Sequence, residues 1–200
     1  MKRQQRLDLQ QLHQAIEKRD QEQLQFLLKR LLQSLDYYIA LAVPLERVSD
    51  FLPIFEAHYP EETWVRQLLL MINNYGKAPE NDITEMALQH SFNAPGMGNF
   101  LKAVFDITQA MQDRNTPEAR VGFMASAVVN AIMAQLVYRW YGEREKAWEQ
   151  VRDNQTDEQA TRIAYIFWTH PDTIANDQQY WREIADSLHE KLTRLETHSS

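Results

Sequence analysis

The chain has no cysteine among its 200 residues. That excludes disulfides, thiolate zinc sites, iron-sulfur clusters and cysteine nucleophiles. Glycine occurs five times and proline seven, and no stretch alternates apolar and polar residues between hairpin turns, so strand signals are missing. An apolar signal core is missing too. The start, Met1-Lys2-Arg3-Gln4-Gln5-Arg6, is basic but leads into an amphipathic run from Leu7; no secretion signal is expected, and a cytoplasmic location follows by default. Dense charge of one sign is also absent. Up to Arg30 there are seven Lys or Arg against four acids, +3, which leaves -10 of the net -7 for the remainder. These basic residues are interleaved with acids and no helix-turn-helix pattern accompanies them, so nucleic acid is not an expected partner.

What the chain does have is one uncharged run of eighteen residues, Val121 to Tyr138, interrupted only by Ser126, Asn130 and Gln135 among stronger polar groups. Asn115, Thr116 and Pro117 before it form a cap-and-proline helix start. A helix that is apolar on nearly every side must be surrounded by protein or lipid, and its length is at the lower edge of the roughly 17 to 25 residues that span a bilayer. Arg120, Arg139, Trp140 and Tyr141 could act as interfacial anchors. Against a membrane span stand the two amides, the Gly, Ala and Ser content, and an amphipathic continuation through Lys146. The expectation is therefore an all-α, single-domain helical bundle of about seven or eight helices around a buried central helix, Val121 to Tyr141. It would cover residues 1–200, with frayed tails at 1–6 and 197–200.

Along the chain, periodicity predicts a first helix over about Leu7 to Arg19 and a second from the Asp20/Gln23 capping arrangement to about Val43 without a breaker. Pro44 opens a helix through Phe51, which Pro53 breaks or restarts. Another begins at Tyr59-Pro60-Glu61-Glu62, with Trp64, Leu68 and Met71 on one face. A short helix over Ile83 to Ser91, one from Phe100 to about Arg114 with Asn99 as its cap, and the central helix follow. Thr156 and Gln159 suggest a second capping box before Ile163 to Trp168, and a last amphipathic helix follows Pro171.

Catalytic and metal constellations are not visible. Asp186 with His189 and His13 with Glu17 place two possible ligands on a helix face, yet in charged, exposed settings, so no metal and no cofactor are expected. Ser126 sits between alanines inside the central helix and reads as a packing residue rather than a nucleophile. Glu61 with Glu62, and Asp153, Asp157 and Glu158, fall at helix starts where carboxylates favour the dipole. No catalytic residue is assigned.

Three groups remain as candidate sites. Asn130 and Gln135 need partners if buried and, with Phe123, Met124 and Met133, could wall a pocket for a hydrophobic small molecule. Gly96, Gly98 and Asn99, followed by Lys102, could expose backbone amides to an anion. Trp181, Ile184, Leu188, Leu192 and Leu195 form an apolar stripe fit for a protein partner or self-association. By elimination, the sequence reads as a non-catalytic protein-interaction domain, an adaptor, assembly factor or chaperone-like module. A ligand-binding or sensing bundle is the alternative, and a cryptic helical enzyme the third reading.

Overall fold

Arg19, held in the left-handed region at φ 55°, ends the first helix and turns the chain back on itself. Its N–H and that of Asp20 donate to the carbonyls of Ile16 and Ala15 at 3.2 and 3.0 Å, closing the helix end as a left-handed cap does. Asp20 then accepts from the Gln23 N–H at 3.1 Å and starts the next helix. The computed structural model describes residues 2–75, 92, 94–152 and 177–197. Among them are seven helices and no strand: α1 (Arg3–Lys18), α2 (Gln21–Gln33), α3 (Tyr37–His58), α4 (Trp64–Tyr75), α5 (Met97–Met111), α6 (Pro117–Arg152) and α7 (Gln178–Thr197). The expected helices at Ile83 to Ser91 and Ile163 to Trp168, and the Thr156 cap, lie outside the described residues.

The all-α bundle is as expected, with α6 at its centre. Met124, Val128, Ile132 and Val137 are buried where α2, α3 and α5 pack against that helix. The segment Pro117–Arg139 is long and apolar enough to cross a membrane, but here protein encloses much of it. Alanines at 125, 127, 131 and 134 are all buried and bring the neighbouring backbones close. A second layer forms where α1 packs on α2 and α7, and α7 reaches α3.

Several boundaries differ from the sequence expectation. The first helix starts at Arg3 rather than Leu7 because Gln5 is buried and its amide donates to the Ser34 carbonyl at 3.1 Å, tying the N-terminal turn to the end of α2. The leucine-rich run does not continue to Val43. It breaks at Ser34-Leu35-Asp36, where the Ser34 hydroxyl bonds back to the Leu31 carbonyl and Asp36 caps α3 through the Tyr38 N–H. Pro44 and Pro53 lie inside α3 instead of delimiting helices. Proline in a helix interior sacrifices a backbone bond; burial of Val48, Phe51, Leu52 and Phe55 on this helix offsets that loss.

The α5 cap is Gly96, not Asn99. Gly96 is at φ +80°, and a Cβ there would lie 2.4 Å from the Ala134 carbonyl oxygen and 3.1 Å from Phe51 Cζ. Only glycine lets the helix start approach α6 this closely. Gly96→Ala is expected to cost about 2–3 kcal/mol, from about 1–2 for the left-handed conformation and about 1 or more for the displaced backbone. Urea unfolding of the variant checks this, and an unchanged midpoint would show that the contact is not tight.

Candidate functional site

Two arrangements bring polar and apolar groups together in ways that bear on function. The first lies in the seam between α5 and α6 and is centred on Asp106, whose side chain is 0 % exposed. Such a carboxylate needs donors on both oxygens. One oxygen takes the Lys102 ammonium, one helical turn earlier. The other accepts from the Ser126 hydroxyl at 2.7 Å and the Asn130 amide at 3.3 Å. Asn130 also donates to the Ser126 carbonyl at 3.0 Å and accepts from Asn99 at 3.4 Å.

This network draws members from two separate groups of sequence candidates, Asn99 and Lys102 from the glycine turn and Asn130 from the central helix. The sequence does not mark Asp106 out. The available signal was an acid four residues after a lysine, between Phe105 and Ile107 in an otherwise apolar stretch. Ser126 is a hydrogen-bonding member, beyond the packing role expected of it. Its hydroxyl donates to a carboxylate that Lys102 also pairs with, and among the described residues no histidine bonds to it. Chemically it clamps α5 to α6.

The other candidates fall as follows. Gly96 is the tight cap described above, while Gly98 has open space where a Cβ would be. With Lys102 committed to Asp106, the glycine turn is bound to the seam network. Of the five proposed pocket residues, Met124 and Met133 are buried and Phe123, Asn130 and Gln135 half-buried. At 3.6 residues per turn Met124 and Gln135 point to one side of α6, and Phe123 and Asn130 to another, so they do not wall one pocket. Trp181, Ile184, Leu188 and Leu192 are buried in the chain's own core, on the helix that packs against α1 and α3. That stripe is covered intramolecularly because α1 presents Leu9, Leu12 and Ile16 to be buried; the Leu195 side chain lies outside the described residues. Glu17 pairs with Arg182 at 2.7 Å rather than with His13. Asp186 and His189 are exposed. Among the described residues no three potential metal ligands gather.

The second arrangement is a cleft of about 280 Å³ where the end of α2, the start of α3 and the first turns of α6 meet. Leu32, Leu35, Ala40, Val121 and Met124 give it apolar walls, and Tyr37 and Arg120 supply polar groups. Both are held in place. The Tyr37 hydroxyl donates to the Ala110 carbonyl at 3.0 Å. Burial pushes its pKa up, against the opposing effect of Arg120, so the phenol stays a neutral donor at physiological pH. Arg120 stacks over the Tyr37 ring with its guanidinium carbon 5.5 Å from the centroid. Its Nε donates to the Asn115 carbonyl at 3.2 Å and its Nη2 to Asp113 at 2.8 Å.

Beside the cleft, Tyr38 packs edge-on against Tyr37 with centroids 5.2 Å apart and is 64 % exposed. The apolar hollow is thus flanked by an exposed tyrosine and a positioned arginine. Of the pocket residues read from sequence, Met124 alone lines it. Comparison with protein-family models, with curated proteins and with solved structures finds no match.

Proposed function

We propose that this chain is a non-catalytic protein-recognition domain, of the adaptor, assembly-factor or chaperone-like kind, and that the cleft between α2, α3 and α6 receives an apolar side chain of its partner. The observation that carries the reading is the join of an apolar hollow to an exposed Tyr38 and to Arg120. A largely exposed tyrosine such as Tyr38 gains by being covered, at roughly 25 cal/mol per Å² of apolar area. The seam around Asp106 supports the same view in a different way. Its donors and acceptors are matched to one another, which suits a rigid scaffold better than a reacting centre.

A small-molecule reading has one specific observation in its favour. The cleft volume is nearly twice that of an apolar cavity of about 150 Å³ that accommodates benzene. Native mass spectrometry of the purified chain, before and after denaturation, separates the two. The recognition reading expects only whole-chain masses. A non-covalent increment of small-molecule size that disappears in Val121→Arg, which places a charge in the cleft, would overturn it.

A further inference from the structure

Resting on that recognition reading, the geometry points to a partner peptide of particular chemistry, one in which the apolar residue entering the cleft is accompanied by a carboxylate that takes the place of Asp113 on Arg120. The argument starts from how Arg120 is held. Its stem and guanidinium are fixed by the Asn115 carbonyl and the Tyr37 ring, and the side chain is only 21 % exposed. A guanidinium fixed in this way is pre-organised for a carboxylate, which it can grip through paired N–H groups. Asp113, by contrast, has a fully exposed side chain and comes from the turn between α5 and α6. An ion pair to a carboxylate immersed in water is worth little and exchanges readily.

Asp113 thus acts as a stand-in that neutralises Arg120 while the cleft is empty. An incoming carboxylate seated beside the apolar walls would lose water on one side and interact with the guanidinium more strongly than Asp113 does. Glu118 and Asp36, the other acids flanking these helix starts, disfavour a ligand with several negative charges. They fit a single carboxylate next to an apolar anchor, as one turn of an amphipathic helix presents.

The test uses the full chain, two short amphipathic helical peptides and, as a third probe, hexanoate. One carries an exposed leucine with a glutamate one turn away; the other has glutamine in place of the glutamate. Binding is followed by the methyl signals of Val121 and Met124. The expected result is tighter binding of the glutamate peptide. Asp113→Asn should strengthen that peptide alone by about two- to fivefold, the span of an exposed ion pair, and Arg120→Gln should abolish the preference. Because Asp113 is fully exposed, its variant decides the question even if Arg120→Gln does not fold. Equal binding of both peptides, indifferent to Asp113, would overturn the carboxylate inference and leave the recognition reading standing. Methyl signals that respond to neither peptide would overturn both, and a response to hexanoate alone would replace the peptide by a free aliphatic acid.

Discussion

Trp181→Ala is expected to destabilise the protein by about 3–5 kcal/mol, the range for truncating a large aromatic in a packed core. The indole is 0 % exposed and lies on α7 with Ile184, Leu188 and Leu192, all buried. Polar ties surround the same interface. The Gln178 amide donates to the Ile16 carbonyl at 3.1 Å, and Arg47 on α3 pairs with Glu183 at 2.9 Å. Those ties position α7, but burial of its apolar stripe supplies most of the stabilisation. Set against a typical total of about 5–15 kcal/mol, the loss is large. Denaturant unfolding measures it directly. If α7 were a free partner surface instead, Trp181→Ala would change self-association or partner binding and leave the unfolding midpoint where it was.

Lys102→Met should cost about 2–4 kcal/mol. Removing one member of a buried ion pair leaves the other charged and uncompensated, at about 3–5 kcal/mol; the half-exposed ammonium of Lys102 is screened by water and moderates that figure. The cost arises at Asp106, which is enclosed and would keep only the Ser126 and Asn130 donors. The expected signature is recovery. Adding Asp106→Asn to Lys102→Met removes the stranded charge while keeping an acceptor for Ser126, and at least half of the lost stability should return. A double variant no more stable than Lys102→Met would show that the seam does not depend on charge balance at Asp106.

The legible parts of this fold are those specified by neighbours in sequence. Asp20 with Gln23 marked the start of α2, Asn115-Thr116-Pro117 the start of α6, and the uncharged run identified the helix that the others surround. The break at Ser34 to Asp36 was hidden because Leu24 through Leu35 keeps a helical period across it. What sets the break is the Ser34 hydroxyl turned back on Leu31, the Gln5 amide on the Ser34 carbonyl and the Asp36 cap, a combination that includes one distant partner. Pro44 and Pro53 misled for the same reason, since local chemistry disfavours them in a helix and tertiary burial overrides it.

The sites were less legible than the elements. That a buried Asn130 needs partners is legible in the sequence, but of those partners only Ser126 lies on its own helix, while Asn99 and Asp106 come from another. The cleft depends on contacts such as the bond from Tyr37 to Ala110, 73 positions apart, and no periodicity joins α2, α3 and α6 into one hollow. The α7 stripe shows the converse. Its amphipathic pattern was plain in the sequence, while the identity of the surface covering it, α1 and α3 of the same chain, was not.

The most direct test of the recognition account is photo-cross-linking in living cells from a reactive residue in place of Tyr38, with Leu70, an exposed apolar residue on α4, as the control position. The account predicts a discrete protein adduct from position 38 that Val121→Arg abolishes and that position 70 does not give. No protein adduct at position 38, or one indifferent to Val121→Arg, would contradict it.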